Sequence, residues 1–391
     1  MVSLDQKKEQ SELALFSYGF RPFFLFGSAY AGLAIPLWMI QIGYGVALES
    51  VFTPIDWHVH EMLYGFVPAI VAGFLLTAIP NWTGRLPISG VPLFALFSIW
   101  VAGRLAVYLS TKIGWFAAAA IDISFLFVVI AVAGREIVVG KNWRNLRVLG
   151  VVGVFAAGNL TFHLESHYLG SAEYGTRLGI SAIIMLISLV GGRIVPSFTH
   201  NWLMRQQAGK LPASFGRVDV AALATSLAAL LSWILLPYAM ATGYVLICAG
   251  AIQFVRLVRW HGERTVTEPI VVVLHVAYAF IPLGFVLLGL SFFAELPRSA
   301  GIHAWTGGAT GTMILAVMTR ASLGHTGRVL VASVAVTLIY LLAVSSALLR
   351  IVGALVSEYG QLLILLSGLA WAGAFLSFAI VYAPILCTPR R

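Results

Sequence analysis

The chain has 391 residues, 60% of them hydrophobic and 10% charged; its mean hydropathy is +0.93 and its formal net charge +9. A soluble globular protein carries about 25% charged and 45–50% apolar residues, so this composition excludes an ordinary soluble domain and indicates a polytopic membrane protein. The basic excess then needs no nucleic acid, because basic residues crowd the cytoplasmic loops of such proteins, and two distant cysteines, Cys248 and Cys387, with no CxxC or CxxCH pattern, leave no zinc ribbon and no thioether-bound haem.

Residues 1–19 read as a cytoplasmic segment and not as a signal peptide: the polar lead is long, and the apolar run after Phe20 is as long as a bilayer crossing. Twelve such runs are predicted, at about 20–42, 58–79, 91–109, 114–139, 147–168, 176–198, 218–238, 240–258, 268–293, 302–321, 329–350 and 360–383, followed by a tail, 384–391. The predicted fold class is all-α: one twelve-helix membrane domain over 20–383, with both termini cytoplasmic. That orientation puts 19 of the 24 lysines and arginines on the inner side. Only Arg104, Lys112, Arg177, Arg298 and Arg350 fall toward the outside, as the positive-inside rule requires.

Taken in chain order, the second span opens on "DWHVHEMLYGF", Asp56–Phe66. His58 and His60 are two residues apart, so on a regular helix they point about 200° apart. They face one ion only if the first turn is irregular, which Pro54 and an N-capping Asp56 would allow. His58 shares a face with Glu61, and His60 with Tyr64. Glu61 reads either as a carboxylate that orients an imidazole or relays protons, or as a solvated first-turn acid favoured by the helix dipole. In the fifth span Asn159, His163 and His167 form one stripe at i, i+4, with His163 the deeper ligand candidate. In the ninth, His275 shares a face with Tyr278 and Pro282. His261, beside Arg259 and Arg264 in an inner loop, reads as solvated.

The tenth span, "HAWTGGATGTMILAVMTRASLGHTGR", has His303 at its outer end and His325 at its inner end. Gly307, Gly308 and Gly311 form a small-residue stripe, which either admits a neighbouring backbone or leaves room for a flat macrocycle. The endings "NWTGR", "NWLMR" and "GHTGR" bring Arg85, Arg205 and Arg328 into register at steps four helices long. This predicts three parallel four-helix repeats, about 20–139, 147–258 and 268–383. Such a plan differs from the inverted halves of many transporters and is analogous to the three four-helix arcs of haem–copper oxidases.

Intramembrane ionisable groups default to functional candidates. The outer histidines His58, His60, His163, His167 and His303 lie at similar depths on three helices. Imidazole suits iron, copper and zinc, and a histidine set without thiolates points to haem iron with histidine ligation or to a copper site.

Six stretches carry a family resemblance: "FSYGFRPFFLFG" (16–27), "WHVHEMLYGF" (57–66), "GFLLTAIPNWTGR" (73–85), "GNLTFHL" (158–164), "GGRIVPSFTHNWL" (191–203) and the tenth span just quoted. Together they resemble the NnrS family over most of the chain. The resemblance implies a bacterial inner-membrane protein with non-covalent haem and copper, and a role in nitric oxide metabolism and resistance to nitrosative stress. It carries over His58, His60, Glu61, His163, His303 and His325 as functional positions. His275 also matches, although Ala277 and Phe280 depart from the family pattern beside it. The cofactor-binding candidates are therefore His58, His60, His163, His275, His303 and His325. Metal ligands are expected among His58, His60, His163 and His303, and Glu61 and Tyr64 are the catalytic candidates.

The function expected is binding or removal of nitric oxide, or of a metal-nitrosyl product, by a metal centre among the helices. Nitric oxide is small and neutral and reaches such a centre through the lipid. An oxidoreductase reading stays open, with no electron donor indicated, but the standard histidine-built binuclear centre is not written here, since the sixth span has no histidine before His200 and the seventh has none. A transporter of haem, copper or an iron-nitrosyl species is the alternative; a sensor is disfavoured by the short tails.

Overall fold

The computed structural model describes residues 14–206 and 209–390, so most of the expected 1–19 segment and the last residue of the 384–391 tail lie outside the described residues. Among the described residues every regular element is helical and none is a strand. Eleven helices are long and apolar enough to cross a membrane. They are α1 (Phe20–Tyr44), α2 (Pro54–Thr83), α3 (Val91–Tyr108), α4 (Trp115–Val139), α5 (Trp143–Leu169), α6 (Glu173–Leu203), α7 (Arg217–Leu235), α8 (Met240–Val258), α9 (Pro269–Leu290), α11 (Val334–Leu355) and α12 (Gly360–Leu386). The run expected as the tenth span is helical from 298 to 325 (α10), but its glycine- and threonine-rich first half makes it too polar to count among the eleven.

Caps explain several of the boundaries. α2 starts before the predicted position because Thr53 is its N-cap: its hydroxyl oxygen accepts from the Asp56 amide at 3.1 Å, and its hydroxyl donates to the Asp56 carboxylate at 3.0 Å. Asp56 therefore lies inside the first turn and does not cap it. The Ser333 hydroxyl accepts from the Val336 amide and sets the start of α11. α2 and α5 end at Gly84 and Gly170, with φ of 70° and 75°, a left-handed conformation that costs glycine least.

α2 and α10 share an irregularity. Glu61–Phe66 in α2 and Ala304–Gly311 in α10 are π-helical, with ordinary α-helix on both sides. When Arg85 is aligned with Arg328, Glu61 falls on Ala304 and His60 on His303, so each π segment begins just after a histidine in the same register.

The chain divides into two compact units. The first comprises residues 1–179, 318–329 and 375–391. Its core is aromatic, with Phe20, Phe23, Phe24, Phe66 and Phe162 almost fully buried. Arg21 is buried there and donates to the Leu386 and Thr388 carbonyls at 2.9 and 2.6 Å, which satisfies acceptors at the end of the last helix. The second unit comprises residues 180–317 and 330–374. Within it α8 and α9 pack through small residues: a Cβ on Gly250 would lie 3.0 Å from the Pro282 carbonyl, and one on Gly289 2.9 Å from that of Gly243. Such backbone approach is how membrane helices gain packing without a hydrophobic drive.

Candidate metal centre

Four helices of the first unit deliver polar side chains to one place. α2 supplies His60 and Glu61, α3 Arg104, α4 Asp122, and α5 Asn159 and His163. The three metal-capable residues are almost wholly buried: His60 at 0%, Asp122 at 2% and His163 at 4% exposure. Asp122 Oδ2 stands 3.3 Å from His60 Nε2 and 3.1 Å from His163 Nε2, and the three ligand atoms lie within 4.8 Å of one another. Donors about 2.0–2.2 Å from a tetrahedral ion are spaced about 3.3 Å apart, so the two nitrogen–oxygen separations already match an ion's ligand shell.

The surrounding groups hold these donors in place. Glu61 Oε1 is 2.9 Å from His60 Nδ1, so the carboxylate engages one ring nitrogen while Nε2 faces Asp122. Metal-ligating histidines are commonly oriented by such a carboxylate. Asn159 donates to Asp122 Oδ2 at 2.8 Å and turns its carbonyl oxygen to His60 Nε2 at 3.1 Å. The Arg104 guanidinium spans both acids: one nitrogen donates to Glu61 Oε1 and Oε2 at 2.7 and 2.6 Å, and another pairs with Asp122 Oδ1. Tyr30 donates its hydroxyl to Glu61 as well. Two carboxylates thus face one guanidinium inside apolar protein, and both His60 nitrogens face acceptors, so the ring either carries a second proton or turns a lone pair to a cation.

The π segment makes the arrangement possible. It inserts one residue per turn relative to an α-helix and brings Gly65 against Arg104: a Cβ there would lie 2.2 Å from the guanidinium nitrogen and 2.8 Å from Glu61 Oε2. The Gly65 carbonyl accepts the Trp100 indole N–H at 2.8 Å. Phe52 closes the other side, its ring 4.9 Å from that of His60 and 5.2 Å from that of His163. The loop carrying Phe52 is tied to the end of α3 by the Val51 amide, which donates to Ser110 Oγ at 2.9 Å, and by the Thr111 amide, which donates to the Glu49 carbonyl at 3.1 Å.

Comparison with known protein families now adds to this geometry. The model of the NnrS family, described as NnrS protein, matches residues 14–390. The chain belongs to the NnrS family. No curated protein matches the chain.

Of the residues singled out in this NnrS sequence, the structure brings together His60, Glu61 and His163. His58 points away, as the two-residue spacing implies for a first turn that is regular; its ring stacks on Trp38 at 4.2 Å. Tyr64 lies in the wall: its hydroxyl donates to the Gly175 carbonyl at 2.6 Å, and a Cβ on Gly158 or Gly179 would collide with it. His167 stacks on Trp115 at 4.0 Å. His325 stacks on Tyr18 at the far end of the same unit, with ring centroids 5.8 Å apart. His303 belongs to the second unit, where Nδ1 donates to the Ser299 carbonyl at 2.8 Å. His275, in the same unit, bonds to Thr199 at 2.7 Å.

Two of the three glycines of the α10 stripe are filled against aromatic rings, while a Cβ on Gly307 would meet nothing within 4 Å. A Cβ on Gly308 would lie 2.4 Å from the Phe280 ring and one on Gly311 2.5 Å from Trp371, so aromatic side chains take the space. Asp122, Arg104 and Tyr30 had no functional reading in the sequence. The available signal was an acid in the middle of "WFAAAAIDISFLFVV", an intramembrane charge of the kind that is rarely idle.

Proposed function

We propose that this NnrS-family protein acts in the nitric oxide response through a transition-metal ion, copper or iron, held by His60, His163 and Asp122. The observation that carries the reading is the buried His60–Asp122–His163 group, whose donors lie within 4.8 Å of one another. Imidazole suits both metals, and two imidazoles with one carboxylate leave coordination positions open. Such an ion supplies a place for nitric oxide to bind.

The residues of the chain would do the rest. His60 and His163 present Nε2, and Glu61 and Asn159 hold the His60 ring at its angle. Arg104 pairs with both carboxylates, and Phe52 excludes water. Each ligand lies about two turns inside a helix end, a depth that nitric oxide, being neutral, reaches from the lipid. Haem, which the family also implies, would meet Phe280 and Trp371 at Gly308 and Gly311 of the α10 stripe; the metal ion is the group that the donor chemistry of the His60 site fits.

We place the protein in the bacterial inner membrane as twelve spans with cytoplasmic termini, the site then lying in the outer half. The distribution of basic residues supports that orientation. The matching register of the two π segments supports descent from a repeated four-helix unit.

The test is purification in detergent, metal analysis, and absorption and electron-spin spectra with and without nitric oxide. A metal equivalent that vanishes in His60→Ala, His163→Ala and Asp122→Ala, with a nitric-oxide-dependent spectrum that vanishes with it, is the expected result. Metal content unchanged in all three variants would sink the proposal. A Soret band that shifts with nitric oxide and survives them would assign haem to another site.

A further inference from the structure

In the first unit, the turn between α4 and α5 is firmly held, basic and exposed. α4 ends in a Schellman motif: the Lys141 amide donates to the Val138 carbonyl at 3.1 Å, and the Asn142 amide to the Ile137 carbonyl at 3.0 Å. The left-handed position of that motif usually holds glycine. Here it holds Lys141, at a φ of 53°. Glycine stands one residue earlier, because a Cβ on Gly140 would lie 2.5 Å from Thr83 Cβ at the end of α2. Asn142 ties the turn down. Its side-chain amide donates to the Trp82 carbonyl at 2.6 Å, and its side-chain oxygen accepts from the Asn145 amide group at 3.1 Å.

This frame carries cations with no acid to meet them. Arg135, Lys141, Arg144 and Arg147 are all exposed. Glu136 is the only acid between Asp122 and Glu165, and it is buried and paired with Arg85. Among the described residues, the ion pairs made by lysine and arginine involve none of the four. The same turn exposes Trp143 at 58%, and the adjoining ends of the two spans expose Val138, Val139 and Leu146. In the second unit, the turn four helices later is charge-matched instead. There Arg259 pairs with Asp219 at 3.3 Å, His261 pairs with Glu263 at 3.0 Å, and Arg264 donates to the Lys210 carbonyl.

We infer that the turn between α4 and α5 is a binding surface for anionic phospholipid. Cations beside a span attract the phosphate of such a headgroup, an indole settles at headgroup level, and the apolar residues next to them meet the acyl chains. An acidic protein would answer the cations but not Val138, Val139 and Leu146, which belong to membrane-crossing helices. A left-handed lysine costs what glycine would not, and strain of that kind persists where a side chain has a task. The surface is independent of the His60 site and needs no metal.

The test uses the full chain in phosphatidylcholine vesicles that contain brominated phosphatidylglycerol or, at the same fraction, brominated phosphatidylcholine. Quenching of Trp143 is read as the difference in fluorescence between the chain and its Trp143→Phe variant. The brominated phosphatidylglycerol should quench more, and the preference should shrink as salt rises. Inorganic phosphate should shrink it no further than chloride of equal ionic strength. Lys141→Gln, Arg144→Gln and Arg147→Gln combined should abolish it. Lys141→Gly should weaken it by up to about fivefold, the share of one cation near an anionic surface, while the thermal midpoint holds or rises because glycine relieves the backbone. Equal quenching by the two lipids would overturn the inference and leave the patch to an acidic protein. A preference that survives the triple variant, or one that inorganic phosphate alone removes, would overturn it too. So would Lys141→Gly with a lowered midpoint and an unchanged preference, which would make Lys141 a structural residue only.

Discussion

At the scale of single residues, Arg104 decides whether the buried acids of the proposed metal site are tolerable at all. It is the one cation among Glu61, Asp122 and two imidazoles. Removing one partner of a buried ion pair strands the other charge, which costs about 3–5 kcal/mol. Arg104→Ala should therefore lower the thermal midpoint in detergent by several degrees or prevent folding, whereas Arg104→Lys, which keeps charge but not the two-carboxylate fork, should fold with weakened metal binding. Thermal unfolding followed by metal analysis separates the two. Glu61→Gln tests a subtler role: the fold should survive while metal affinity falls about 10–100-fold, because Glu61 orients His60 and is not itself a ligand. An affinity that does not move would show that the Glu61–His60 bond is incidental. Protons compete with an ion for the two Nε2 atoms, so affinity should climb as pH rises. An affinity flat with pH would mean that those nitrogens are not the ligands.

At the scale of elements, the π segment of α2 is the decisive feature. Inserting one alanine after Phe66, where regular α-helix begins, rotates everything upstream by about 100°. His60 would then leave the face that meets α4 and α5. The expected outcome is unchanged helix content by circular dichroism with metal binding lost; retained metal would mean that the rotation of α2 does not set the ligand's direction. The loop before α2 is the second such element. Phe52→Ala opens the wall over His60 and His163, and the rate at which a chelator strips the ion should rise while the equilibrium stoichiometry stays at one. Much of this was legible in the residues. His60, Glu61 and His163 are polar groups in apolar runs, and their helices begin and end near the predicted positions. What periodicity could not show was the extra residue in the turn after His60, because π and α segments have the same composition. The N-cap at Thr53 was displaced to Asp56 for a related reason: both residue types cap helices, and only the backbone decides between them.

At the scale of the whole molecule, composition alone excluded a soluble protein, and the runs of apolar residues foretold an all-helical, multi-pass chain. Eleven of the twelve expected spans are long and apolar enough among the described residues; the other is helical but rich in glycine and threonine. The family match over residues 14–390 agrees with the quoted motifs. Helix identity follows from local hydrophobicity, and a ligand's residue type is visible in any sequence, so these features needed no tertiary information. The partners of those ligands did. Asp122, Arg104 and Tyr30 come from helices far apart in the chain, and whether they converge depends on how each helix is rotated about its own axis. That rotation is set by packing, by Gly65 yielding space to a guanidinium and by one added residue in a turn. None of these can be read from spacing along a single strand of sequence, so the buried charge network, and with it the candidate metal site, was decided by the tertiary structure alone.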